Sequence, residues 1–267
     1  MSLSDRETLR QTFDTAAERY DQARPLYESE IFDDLVVLAD LEAGSRILEI
    51  GCGTGQATLP LAERGCRIVA LELGARLAEI AGRKLAAHED VEVVVGLFVE
   101  WPVPDELFDA VVSANAFHWI DPTVRVTKAA DALRSSGSLA VIESWSRPIA
   151  PGGVLDRLRG CYDQWTSEPA PAFQPNQPNQ PDDESETRAD IKASGLFDEI
   201  AVRTFMFTRE HSTEQHHQIL LTFSNVLALD AERQAGLVGC IDEVVDRDLA
   251  GRFVETTGTR LVVARKK

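Results

Sequence analysis

Between Ile47 and Thr58 the chain reads ILEIGCGTGQAT. Alternating glycines at 51, 53 and 55 after an apolar run let a ligand approach the backbone closely. The start of a following helix offers free N–H groups to that ligand. Glu72 closes the next apolar run, the position at which doubly wound folds grip a ribose diol with a carboxylate. Gln56 stands where a G-x-G-x-x-G dinucleotide fingerprint has its third glycine. No Gly-Lys-Ser/Thr ending follows to make a P-loop. Glu49, just ahead of the glycines, suits a ligand with a cationic end and not a pyrophosphate. His118 lies beyond the fourth apolar run, at the edge where open α/β sheets bind ligands. It reads as a general base or as a buried or capping histidine near Asp121.

These residues need a scaffold. Strand-like runs cover Arg46–Ile50, Arg67–Leu71, Val91–Val95, Phe108–Ser113 and Ser138–Ile142. Helical patterns lie between them, at Ala75–Ala87 and from Asp121-Pro122 to about Arg134. Such alternation predicts an α/β fold with a parallel sheet. Ahead of it, Ser4-Asp5-Arg6-Glu7 reads as a capping box, followed by Leu9, Phe13, Ala16 and Tyr20 at helical spacing. After Trp145 the alternation stops. Five of the twelve prolines fall within Pro169–Pro181, which reads as an extended insertion, a linker or a lid. Order returns with a strand over Glu199–Thr208 and helices over Thr213–Leu229 and Ala231–Leu249. Arg252–Glu255 and Arg260–Ala264 flank a turn signal at Gly258, and the second run is the expected last strand.

The residues quoted above resemble class I S-adenosylmethionine-dependent methyltransferases, of the broad small-molecule group known as methyltransferase type 11. The first family motif is similar to Leu48–Gly55, and its ribose acid matches Glu72. Phe13–Pro25 resembles a family segment F-x-x-x-A-x-x-Y-x-x-x-R-P, and Ala114–Pro122, ANAFHWIDP, resembles the segment after the fourth strand. The resemblance implies a seven-stranded, doubly wound, mostly parallel sheet with an antiparallel last strand and a helical cap. It implies S-adenosyl-L-methionine as cofactor and S-adenosyl-L-homocysteine as product. Gly51 and Gly53 would lie against the methionine portion, with Glu49 near its ammonium and Gln56 beside them. Glu72 would take the ribose hydroxyls, and Leu73 would pack on the adenine. Leu97 stands where the family commonly has an adenine-reading Asp, which leaves Phe98 and Glu100 as the candidates. Asn115 would sit under the cofactor near the methyl group. Tyr20 and Arg24 would fold over it, Arg24 pairing with the cofactor carboxylate. The organisation expected is a helical lid over 1–40, a cofactor-binding core over 41–145, an insertion and cap over 146–195, and the remaining strands and cap helices over 196–267.

Charge and composition narrow the acceptor. Twenty-seven basic against 44 acidic residues give a net charge of −17, which disfavours nucleic acid and anionic membrane surfaces as partners. The first residues lack the n-region and h-region of a signal peptide. Cys52, Cys66, Cys161 and Cys240 form no C-x-x-C pair, and their scatter fits a reducing cytoplasm better than a disulfide framework. No metal is suggested: His216 and His217 are adjacent in a helical pattern and point apart, and with His211 they read as solvated or capping. Trp145, Tyr162, Trp165, Phe173 and Phe205 read as pocket lining or ordinary core. Arg147, Arg157 and Arg159 are available in the cap for a carboxylate acceptor. The expected function is methyl transfer to a small molecule. A nicotinamide-dependent oxidoreductase and a non-catalytic cofactor-binding protein on the same fold are the alternatives.

Overall fold

In the computed structural model residues 14–166 and 185–267 are described. The fold is built outward from β1 (Arg46–Ile50), of which all but the first residue is buried. Ile47 belongs to the apolar layer on one face of the sheet and Leu48 to the layer on the other. A strand covered on both faces must be apolar on both, which is why RILEI shows no polar alternation.

On one side of β1 lie β2 (Arg67–Glu72) and β3 (Val91–Val95). On the other lie β4 (Phe108–Ala114), β5 (Leu133–Pro148), β7 (Arg252–Lys266) and β6 (Phe197–Ser212). The seven-stranded order is β3-β2-β1-β4-β5-β7-β6. The first five strands are mutually parallel, and β7 runs antiparallel to both neighbours. The order reverses between β1 and β4, so their following loops diverge and leave a crevice.

The helices are α1 (Ala17–Ala23), α2 (Ser29–Leu38), α3 (Thr58–Glu63), α4 (Ala75–Leu85) and α5 (Arg125–Ala132). After β5 come α6 (Gly152–Trp165), α7 (Glu186–Ser194), α8 (Thr213–Leu220), α9 (Ser224–Leu227) and α10 (Ala231–Asp248). On α4, Leu77, Ala78, Ile80, Ala81 and Leu85 turn inward at helical spacing. Helices α6, α8, α9 and α10 share a separate apolar cluster around Leu158, Leu237 and Ile241.

Several boundaries differ from the sequence expectation. Gly258 is no turn: β7 runs straight through it, opposite Trp145 of β5. A Cβ at Gly258 would lie 2.3 Å from the Trp145 indole, so the glycine is a close approach of a ring to backbone. The fifth and sixth strands extend well beyond Ser138–Ile142 and Glu199–Thr208. Asp121 makes a local turn, its carboxylate accepting from Thr123 N at 2.9 Å, and α5 starts only at Arg125. Thr213–Leu229 is two helices, not one. The cysteine spacing points away from a disulfide, yet the packing of α6 on α10 joins Cys161 to Cys240, 79 positions apart. Cys52 and Cys66 are buried free thiols. The capping box at Ser4–Glu7, Leu9, Phe13, the proline-rich stretch and Phe173 lie outside the described residues.

Candidate functional site

Two adjoining cavities open at the carboxyl edge of the sheet, at the switch point. The smaller, about 120 Å³, is lined by Tyr20, Gly51, Gly53, Glu72, Leu73 and Phe98 among others. The larger, about 450 Å³, takes in Arg24, Glu49, Gln56 and His118. Tyr20, Gly51, Gly53, Ala114, Asn115 and Trp119 are common to both. Tyr20, Arg24, Glu49, Gly51, Gly53, Gln56, Glu72, Leu73, Phe98, Asn115 and His118 thus each line one cavity or the other. Leu97 and Glu100 line neither, whereas Phe98 is buried in the wall of the smaller.

The glycine turn is shaped for close approach. Gly51 has φ +71°, and a Cβ there would fall 2.5 Å from the Ala116 Cβ. Glu72 fixes the turn from below, its Oε2 accepting from Gly53 N at 2.8 Å and its Oε1 from Gly74 N at 2.8 Å. Glu49 is 1% exposed, and its Oε2 has no partner. Burial pushes this carboxyl up to about 7; the Thr58 hydroxyl beside it pulls the other way, and the charge of Glu72 adds to the rise. A buried, unpaired carboxyl at the edge of a cavity is suited to receiving a cation.

The loop after β4 forms the opposite wall. Asn115 adopts φ +52°, which asparagine tolerates better than most residues. Its Oδ1 accepts from Ser144 N at 2.7 Å and its Nδ2 donates to the Tyr27 hydroxyl at 2.9 Å. Arg125, 1% exposed, donates from Nη1 to Phe117 O at 3.3 Å and pairs with Asp190 of α7. That buried arginine anchors the turn bearing His118 and Trp119. His118 is exposed at the mouth of the larger cavity.

Residues 14–28 close the top. Asp14 Oδ1 accepts from Arg76 N at 2.7 Å and Leu77 N at 3.2 Å, capping the first turn of α4. Lys84 holds Asp21 at 2.6 Å. The Arg24 guanidinium lies 5.3 Å from the Tyr20 ring and 4.5 Å from that of Phe223. Its Nη2 donates to Thr222 O at 3.2 Å, while its buried Nε has no partner.

The sequence reading missed Tyr27, Ser144, Arg209, Glu255 and Thr257, all of which line the larger cavity. For Glu255 and Thr257 the signal was the polar alternation with Thr259, hidden by reading Gly258 as a turn; Tyr27, Ser144 and Arg209 carried no such signal. Of the aromatic candidates, Trp145 lines the cavity, Tyr162 and Trp165 join the α6–α10 cluster, and Phe205 packs on the core. The cap arginines do not line it: Arg157 pairs with Asp248 and Arg159 with Asp156. The histidines are neither simply solvated nor capping. His211 bonds Glu255, His217 bonds Asp242, and His216 is buried against the Phe253 ring. Among the described residues no cluster of metal-ligating side chains occurs.

Comparison with known proteins agrees with this geometry. Residues 48–141 match the model of a methyltransferase domain family. An uncharacterized methyltransferase of Mycobacterium tuberculosis is 34% identical over 131 residues, covering 49% of this chain and 51% of the relative. The chain thus spans about half the length of the curated relatives first matched. An uncharacterized methyltransferase of Schizosaccharomyces pombe is 24% identical over 88% of this chain and 87% of its own. The solved phosphoethanolamine N-methyltransferase 2 of Haemonchus contortus, in complex with S-adenosyl-L-methionine, superposes with a TM-score of 0.56. That match has 17% identity and covers 100% of this chain and 60% of that one. The chain thus has the fold of that solved methyltransferase, and the stretch that matches a methyltransferase domain family lies at residues 48–141.

Proposed function

We propose that the protein is an S-adenosyl-L-methionine-dependent methyltransferase that acts on a small molecule. The observation that carries this is the pair of buried carboxyls flanking one glycine turn. Glu72 offers acceptors for a ribose diol, and Glu49 offers an unpaired oxygen for an ammonium. When bound, the cofactor supplies a methyl group on a sulfonium that is already an activated leaving group.

The chain's own task is then to bind, align and exclude water. Gly51 and Gly53 hold the methionine portion close to backbone, and Gln56 offers its unpaired Nε2 beside them. Leu73 and Phe98 form the apolar slot for the adenine. Arg24 supplies a guanidinium for the cofactor carboxylate, and Tyr20 covers it. Asn115, fixed by Ser144 N, defines the wall at the transfer point. His118, at the cavity mouth, is the candidate base for an acceptor that must shed a proton. A cavity of about 450 Å³ is in the range of small-molecule sites.

The test is calorimetry with S-adenosyl-L-methionine, S-adenosyl-L-homocysteine and NAD, on wild type and Glu72→Ala. The expected result is binding of the first two, abolished in the variant, and none of NAD. Binding of NAD alone, or no effect of the variant, overturns the reading.

A further inference from the structure

The larger cavity holds more unmet donors than acceptors. Its buried polar atoms without partners are Arg24 Nε, Gln56 Nε2, Arg209 Nε, the Thr257 hydroxyl and Glu49 Oε2. Buried donors left unpaired are costly, and a ligand rich in acceptors relieves them. The donor site proposed above uses Arg24, Gln56 and Glu49. Arg209 and Thr257 remain.

These two are neighbours. In the β6–β7 register Arg209 faces Glu255 and Phe207 faces Thr257, so Arg209 and Thr257 are diagonal on one face of the sheet. Arg209 Nη2 already donates to Glu28 Oε1 at 2.5 Å and to Leu26 O at 3.1 Å. That holds the guanidinium in place with its Nε unused. Glu255, the other carboxylate on this face, is bonded to His211 at 3.2 Å.

At the shared wall the direction of hydrogen bonding is fixed. Ser144 N donates to Asn115 Oδ1, so the amide nitrogen must face Tyr27 and donate to its hydroxyl. The phenol accepts that bond and is left with its own proton to give. Burial, with Tyr20 adding to it, holds the Tyr27 phenol well above its ordinary value, so it stays protonated. It is a donor toward a lone pair and not a base.

We propose that the methyl acceptor is a small organic acid methylated on a carboxylate oxygen, with Arg209 and Thr257 holding the acid and Tyr27 orienting the oxygen. This rests on the reading of the adjoining cavity as the methyl-donor site. The carboxylate oxygen gives an electron pair to the methyl carbon, and an O–C bond forms. The carbon–sulfur bond breaks with its pair left on sulfur. Carboxylate and sulfonium charges cancel, giving a neutral methyl ester and a neutral thioether with no proton released. Alcohols and amines would have to lose a proton, and no base need act on an ionised acid.

The experiment has two stages. Calorimetry with S-adenosyl-L-homocysteine first establishes the donor site; failure there counts against that site, and the second stage is read only with donor binding in hand. The protein is then given methyl-labelled S-adenosyl-L-methionine and a panel of aliphatic and aromatic mono- and dicarboxylic acids, with the matching amides, alcohols and amines. The expected outcome is label transferred to acids only, released as volatile methanol by mild alkali, with no acidification of the medium. Alkali-stable label on amines or alcohols, or donor binding with no acid labelled, overturns the proposal. Arg209→Gln should weaken acid binding to the S-adenosyl-L-homocysteine-loaded protein and raise KM at least tenfold, leaving donor affinity within twofold. Glu28→Gln keeps an amide oxygen to accept from Arg209 and removes the competing carboxylate charge, so acid binding should be tighter. Equal damage by both variants would make the pair structural and remove Arg209 from the site. Tyr27→Phe should lower kcat at least tenfold with little change in acid affinity, and an unchanged kcat removes Tyr27.

Discussion

In one half of the sheet β3, β2, β1 and β4 are five to seven residues long and stop at the carboxyl edge. In the other, β5, β6 and β7 are 15 or 16 residues long and run past it. The short half presents backbone to both cavities, with the Glu72 carboxyl in the smaller and that of Glu49 in the larger. Its chemistry is tied to a turn that only small residues can make, as the 2.5 Å clearance at Gly51 shows. The long half presents side chains, Ser144, Arg209, Glu255 and Thr257, from a face that any alternating strand could supply. The first half admits few substitutions without losing its geometry. The second can be rewritten residue by residue while the ladder stays intact, which suits a wall that selects an acceptor.

The sharpest way to separate the halves is Glu72→Ala. It removes the carboxylate proposed to hold the ribose and leaves the Gly53 and Gly74 amides without their acceptor. Two charge-assisted bonds at about 2 kcal/mol each predict a roughly thousand-fold loss of donor affinity by calorimetry, with acid binding little changed. Next is the cap behind the long half. Reducing Cys161–Cys240, or replacing both by alanine, should cost about 3 kcal/mol of stability in denaturant melts. Donor affinity should hold within about threefold. A donor site that collapses with the disulfide would show that the halves are one unit. Smaller again is Gly258→Ala, which drives a methyl into the Trp145 ring. It should cost about 1–3 kcal/mol in thermal unfolding and spoil acceptor KM before donor Kd.

The smallest effect is in pH. The Glu49 carboxyl is raised to about 7 by burial, so its contribution to stability is fully present below its unfolded range and is lost as pH rises through 7. Donor binding should run the other way, because an ammonium beside the group favours its ionised form. Affinity for S-adenosyl-L-methionine should therefore rise roughly tenfold between pH 6 and pH 8. Glu49→Gln should flatten that profile, and a slope that survives the substitution belongs to another group.

The short half was legible because its constraints are local. Arg46–Ile50 and Val91–Val95 were read with the boundaries the structure shows, since a short run rich in aliphatic and β-branched residues marks a strand whether it is buried, like β1, or at the sheet edge, like β3. Glu72 was legible because the carboxylate must sit at the end of the strand after the glycine turn. Much of the long half was not. Gly258 looks like a turn unless the Trp145 ring above it is known, and once β7 was split the face carrying Glu255, Thr257 and Thr259 disappeared. Arg209 reads as one more charge in a strand until β6 is paired and its neighbours appear. The disulfide depends on the packing of α6 on α10, which sequence spacing does not encode. Arg125 gave no signal at all: a buried arginine is recognisable only by the Asp190 and Phe117 carbonyl it finds.

The strap of residues 14–28 over the smaller cavity has a consequence for timing. Asp14 is tied to the amides at the start of α4, Asp21 to Lys84, and Tyr20 forms part of the cavity wall between them. A nucleoside-sized molecule seated beneath this segment has its exit under the same few bonds that admitted it. Under the proposed function its residence would be set by how often the segment lets go of α4, and that opening frequency would cap turnover however well either wall is made.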